Sequence, residues 1–309
     1  MSSQVWAGSS RQRLGDRLFA GTTRAAGLAI LLALVGVVVF LALESLPASR
    51  AGSVDLRGHT HLIGYLWPLV FGTVLAAALA MLIATPLSIG LALAVSHFTP
   101  RPLGRAIGYV VDLLAAVPSV VYGLWGIGVL GPSLVPLYAW LGEHASWLPF
   151  FSGPTSPTGR TILTAAIVLA IMVLPIVTGI AREIFAQTPT LQEEAALALG
   201  ATRWEMVRLA VLPYARSGLV SAVMLGMGRA LGETMAVAMV LSATGVVTFD
   251  LTSSTNPSTI AGNIALSFPE STGLAVNALI ASGLVLFAIT LAVNVAARAI
   301  VGRRTTGVS

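Results

Sequence analysis

An all-α polytopic membrane protein with six transmembrane helices is what this sequence predicts, and three observations carry the prediction. The 309-residue chain is 56% hydrophobic and only 9% charged, with mean hydropathy +0.89, whereas soluble domains carry about 25% charge. Four uncharged runs, Ala25–Leu43, Leu66–Val95, Thr161–Ala181 and Leu274–Ala297, are each long enough to cross roughly 30 Å of hydrocarbon at about 1.5 Å per helical residue. Two further spans contain charge: Ala106–Leu130 holds Asp112, and Gly218–Ser242 holds Arg229 and Glu233. All 17 basic residues are arginine; with loops on alternating sides, thirteen fall with the two termini and three fall opposite. The positive-inside rule then places both termini in the cytoplasm. This asymmetry accounts for the net charge of +5 without any nucleic-acid partner.

Residues 1–24, with Arg11, Arg13, Asp16, Arg17 and Arg24, form a basic cytoplasmic tail suited to orientation and headgroup attraction. Residues 25–65 form a first membrane anchor and an external loop. Ala48-Ser49-Arg50-Ala51 loosely resembles a cleavage site, but the apolar run before it exceeds the roughly 7–15 residues of a signal peptide, so the anchor stays. Pro86 in the second span and Pro118 in the third each remove a backbone hydrogen bond and kink their helix, which either widens a central path or fits a neighbour. Asp112 sits near the cytoplasmic end of its span, at the interface. Two external loops follow from this topology, Gly131–Arg160 and Gly245–Gly273. Pro132, Pro136, Pro149, Pro154 and Pro157 with Trp140 and Trp147 predict turns and a short interfacial helix in the first. The second is polar and weakly helical towards its end. Residues 301–309 form a cytoplasmic tail.

Several chemistries are excluded. The chain has no cysteine, and His59, His61, His97 and His144 show no helical pairing, so no metal site is predicted; His59 and His61 read as solvated loop residues. No Ser/His/Asp arrangement and no HExxH is present, which removes hydrolysis. A Walker A loop requires lysine, and there is none.

Between the fourth and fifth spans lies a polar island, Glu193–Pro213. Thr190 with Glu193 and Thr202 with Glu205 each fit the S/T-x-x-E capping box. Two short helices are expected, the first ending at Gly200 because glycine alone turns left-handed there at little cost, with Pro213 marking the next boundary. Within the fifth span, an unpaired Arg or Asp costs roughly 2.5–3.5 kcal/mol on insertion scales. Arg229 and Glu233 are spaced i, i+4, so a mutual ion pair on one helix face is available. Gly228 and Gly232 form a G-x-x-x-G that lets another helix approach. Two roles fit the pair: an architectural bridge between helices, or an anion contact in which Glu233 competes with a passing oxyanion for the Arg229 fork.

Glu194-Ala195-Ala196, three residues, Gly200, nine residues and Ala210-Val211-Leu212-Pro213 resemble the EAA loop of ABC importer permeases, with Ala210 where that pattern has isoleucine. Together with Gly72–Leu93, Asp112–Gly126, Arg182–Pro189 and Met224–Val237, the chain from about Trp67 onwards resembles the PstC-type permease family of phosphate ABC importers. The resemblance implies a type I importer permease (MetI-like) fold over residues 66–300, with residues 188–213 as the loop that couples to an ATPase. It carries over Glu194 and Gly200 in that loop and Arg229 and Glu233 in the membrane. The implied partners are a PstA-type permease, two copies of a PstB-type ATPase bearing the ATP and Mg, and an external PstS-type phosphate-binding protein, in a bacterial cytoplasmic membrane. This chain itself would hold no cofactor. The rival expectations are another oxyanion, the sister PstA-type subunit, and an ATP-independent channel or secondary transporter.

Overall fold

A computed structural model describes residues 10–50 and 61–305, with side chains described for 15–49 and 61–299. His59, the ends of both expected tails and part of the first external loop lie outside the described residues. Among the described residues six helices are long and apolar enough to cross a membrane. The peripheral α1 (Ser10–Arg50) runs beside α12 (Leu274–Thr305). The centre is α6 (Ile162–Ala186), flanked by α2 (Leu62–Leu93) and α9 (Leu212–Gly232).

Small residues explain the α2–α6 contact. Ala76, Ala77, Ala80 and Ala84 are buried against Ala165, Val168, Leu169, Met172 and Val173, which lets the helix axes approach where no hydrophobic gain over lipid is available. Ser88 Oγ donates to the Leu174 carbonyl at 3.1 Å, and Thr178 Oγ1 donates to the Ser88 carbonyl at 3.4 Å. The α9–α6 seam closes at Gly226, where a Cβ would stand 2.7 Å from methyls of Val173 and Val177. α2 continues as a helix through Pro86, and through Pro68 as well.

The third span differs from expectation. Pro118 does not kink a continuous helix; it separates α3 (Arg101–Ala115) from α4 (Ser119–Trp125). Proline removes the donor at 118 and drives Val117 out of the helical region, so Tyr122 OH takes up the Leu114 carbonyl at 2.9 Å across the break. The membrane-crossing segment is therefore Ser119–His144, not Ala106–Leu130, and it includes α5 (Gly131–His144). Pro132 does not mark a loop here, because it follows a π-turn over Gly126–Leu130 inside one continuous helical segment, and the extra residue of that turn absorbs the missing donor. Buried Tyr138 anchors α5 to α6 through a 2.7 Å hydrogen bond with Thr164 Oγ1. α3 is amphipathic, burying Gly104, Gly108 and Val111 on the side facing α6 and leaving Tyr109, Val110 and Leu113 exposed.

The loop over 245–273, polar in composition, is held by internal hydrogen bonds. Fully buried Asn256 donates through Nδ2 to the carbonyls of Arg160, Ser242 and Ser253 and accepts the Ile162 N–H at 3.0 Å. It thereby ties both external loops to the start of α6. Isolated bridges Thr155–Ser253 and Ala243–Asn256 complete the cap. α11 (Ile260–Ser267) extends from it, its first N–H held by Thr73 Oγ1 of α2 at 2.9 Å.

Candidate functional site

Two features draw together the residues that the sequence singles out. The first is the loop after α6. α7 (Thr190–Ala198) ends in a Schellman turn: Gly200 has φ +86°, its N–H donates to Leu197, and the Ala201 N–H donates to the Ala196 carbonyl at 3.2 Å. The carbonyl of the second alanine of the Glu-Ala-Ala triplet thus closes the helix. At the other end the expected Thr190–Glu193 box is absent. Pro189 occupies the cap position, which places Thr190 inside the helix, and the Glu193 carboxylate instead lies 3.6 Å from His97 Nε2.

The Thr202–Glu205 box does form, with Glu205 N–H on Thr202 Oγ1 and Glu205 Oε2 accepting the Thr202 N–H at 2.8 Å. It opens no separate short helix. α8 (Arg203–Met206) runs into a wider π-turn over Val207–Val211, where the Leu212 N–H reaches back to the Val207 carbonyl, and then into α9. Pro213 follows that turn and lies within α9. The extra residue absorbs the missing proline donor.

Glu194 and Ala195 are exposed, and Ala196 packs on a buried cluster of Met206, Val207 and Val211 that continues to Ala92 and Leu93 of α2 and Phe185 of α6. Through Ala215 and Leu219 the same cluster also reaches α9, so α7 packs against residues of three membrane helices. Leu191, Leu197, Leu199 and Trp204 stand exposed around the same loop, Leu199 at 91%. Apolar side chains clustered on a polar loop mark a protein-binding surface. His97, nine-tenths buried and edge-on to Phe185, is the residue that sequence reasoning missed. It lies far from Glu193 in sequence, and no spacing signals their contact.

The second feature is a break in the fifth span. α9 stops at Gly232, Glu233 is extended (φ −67°, ψ 128°), and the chain resumes as α10 (Met235–Val240). Arg229 and Glu233 therefore do not share a helix face, and among the described residues no arginine lies within salt-bridge distance of a carboxylate. Glu233 Oε1 accepts the Ala236 N–H at 3.2 Å, capping α10. Arg229 lies in the last turn of α9, where the carbonyl end of the helix dipole favours a cation. It is exposed, as are Gly228 and Gly232, and among the described residues nothing beyond its own helix stands within 4 Å of a Cβ at either glycine. Among the described residues the α9 glycines that meet a neighbouring helix are Gly226, against Val173 and Val177, and Gly218, against Ile184.

Irregular backbone at membrane depth is tolerated only where protein covers it or a watery path runs past it. The α9–α10 break and the Pro118 break are neighbours: α4 packs on α10, with a Cβ at Gly123 standing 3.0 Å from Ala236 Cα. Tyr122, which bridges the Pro118 break, lies within electrostatic reach of the Arg229 guanidinium. The two discontinuities and the membrane arginine thus occupy one region.

Comparisons with known proteins agree with this architecture. The family model of the binding-protein-dependent transport system inner membrane component matches residues 84–306. The phosphate transport system permease protein PstC 2 of Mycobacterium tuberculosis is 45% identical over 307 residues, covering 96% of this chain and 94% of that protein. The phosphate transport system permease protein PstC of Mesorhizobium japonicum is 41% identical, covering 93% and 90%. A crystal structure of a bacterial ABC transporter involved in alginate import aligns with TM-score 0.51 at 18% identity, over 92% of this chain and 99% of that one, a likeness of fold. The chain belongs to the family of binding-protein-dependent transport system inner membrane components, and within it stands among proteins named phosphate transport system permease protein PstC.

Proposed function

We propose that this chain is a transmembrane permease subunit that carries inorganic phosphate across a bacterial cytoplasmic membrane, driven by ATP hydrolysis on a partner. The observation that carries the substrate is likeness along nearly the whole chain to proteins named for phosphate transport. Arg229 supplies fitting chemistry: a guanidinium fork binds a tetrahedral oxyanion through paired donors, and its exposure on this chain leaves it accessible. Glu233, four residues on at the cap of α10, adds a negative charge that weakens anion binding at Arg229, so phosphate passes and is not trapped. Gly228 and Gly232 leave that face open to a second, PstA-type permease.

With no lysine for a nucleotide loop, ATP and Mg belong to two PstB-type ATPase subunits. These grip α7 and Gly200 from the cytoplasm, where both termini lie, while a PstS-type phosphate-binding protein docks on the external cap. Closure of the ATPases pulls α7 and, through the Met206–Val207–Val211 cluster, shifts α2, α6 and α9 between two states. The test is ATPase activity of the reconstituted complex with loaded external receptors. Stimulation by the phosphate-loaded receptor is expected; stimulation only by a receptor loaded with another oxyanion such as sulfate overturns the substrate while keeping the class.

A further inference from the structure

A cleft of about 590 Å³ opens between the end of α2, α3, the end of α6 and α7, and nothing in the transport path uses it. Its cationic lining comes from Arg101 and Arg105 of α3 and Arg182 of α6. No carboxylate stands within ion-pair distance of any of the three among the described residues. Two carboxylates line the cleft, Glu183 and Glu193, and the second is engaged by His97 at 3.6 Å.

Three polar atoms here are buried with no hydrogen-bond partner: Arg182 Nη1, Thr188 Oγ1 and His97 Nδ1. Thr188 is 5% exposed and His97 10% at the side chain, so water does not satisfy them in bulk fashion. Unpaired buried donors are rare and costly, and a bound oxygen acceptor removes the cost. The seat is specific as well. The Arg182 guanidinium lies flat against Gly108, where a Cβ would stand 2.5 Å from Nη1 and 2.9 Å from Cζ, so only glycine leaves the fork in place. Gly104, one turn earlier, is similarly close to the Val95 carbonyl, at 3.0 Å.

We propose that this cleft binds a phosphate-class oxyanion, held by Arg182 with Arg101 and Arg105, at the root of the coupling helix. Its chemistry suits a phosphodiester headgroup at the cytoplasmic membrane surface or a free inorganic phosphate from the cytoplasm. Thr190 and Glu193 of α7 line the same cleft, so occupancy fixes where the coupling helix sits on α3 and α6. The site is separate from Arg229 and does not depend on which anion is transported.

The purified full-length chain, carrying Arg229→Gln to silence the membrane arginine, is titrated with inorganic phosphate in uncharged detergent. In parallel it is examined by native mass spectrometry with phosphatidylglycerol. Saturable phosphate binding assigns the free anion, and retained phosphatidylglycerol assigns the headgroup; either supports the site if Arg182→Gln and Gly108→Ala each weaken it at least tenfold. Gly108→Ala keeps every charge and meets only the flexible end of an arginine, so it tests the seat without threatening the fold. Arg298→Gln, which removes an exposed charge on α12, is expected to change nothing. No binding by either ligand, or binding that Arg182→Gln and Gly108→Ala leave unaltered, overturns the proposal.

Discussion

Gly200 offers a clean perturbation because its whole cost is conformational. It sits at φ +86°, and a Cβ built there meets nothing within 4 Å. Substitution therefore adds no clash and removes no contact; it charges only the left-handed backbone, about 1–2 kcal/mol for an ordinary L residue. Asparagine visits that region readily and should cost least, alanine more, and β-branched valine most. The strain opposes two hydrogen bonds, Gly200 to Leu197 at 3.0 Å and Ala201 to Ala196 at 3.2 Å, which hold α7 in its direction. Since about 1.4 kcal/mol is a factor of ten in an equilibrium, a cost of about 1–2 kcal/mol lowers the turn's occupancy relative to its competitors by roughly five- to thirtyfold, with Gly200→Val at the upper end. The assay is ATP hydrolysed per phosphate imported by the reconstituted complex. Hydrolysis should persist while transport per ATP falls in the order Asn, Ala, Val. Equal coupling in Gly200→Val and Gly200→Asn refutes the argument that the left-handed turn aims the coupling helix.

Other substitutions probe the scaffold. Asn256→Ala leaves the Ile162 N–H and three carbonyls without their partner; with about 1–3 kcal/mol lost per orphaned buried group, thermal unfolding in detergent should drop by several degrees, and an unchanged midpoint contradicts the role of the external cap. Gly226→Val drives methyls into Val173 and Val177, already 2.7 Å from a bare Cβ; overpacking of about 1–3 kcal/mol should lower stability, whereas Gly228→Val, which meets nothing in this chain, should leave the isolated chain unaltered and weaken only assembly with a partner permease. Denaturation midpoints and co-purification separate the two.

What sequence reasoning reads well in this chain is local. The hydrophobic runs locate six spans, and glycine and capping chemistry place the turn at Gly200 and the box at Thr202–Glu205, because those interactions are completed within a few residues. Errors arise where proline or tertiary contacts decide. Pro118 ends a helix outright, since it lacks an N–H and disfavours the helical region at Val117, and the span slides to Ser119–His144. Thr190 loses its capping role to Pro189, and Glu193 turns to His97, a partner that only folding brings near. The i, i+4 arithmetic for Arg229 and Glu233 assumes an unbroken helix, yet Glu233 leaves it to cap α10. Polar composition suggests open external loops, although Asn256 makes them a buried cap. Composition reports how polar a segment is and not whether the chain satisfies that polarity internally.

The most direct measurement is ATP-driven phosphate uptake by proteoliposomes containing the complete complex with Arg229→Ala. Insertion and assembly should match wild type, because Arg229 pairs with no carboxylate among the described residues, while uptake should fall at least tenfold. Wild-type uptake by an assembled Arg229→Ala complex would remove Arg229 from the pathway and contradict the account.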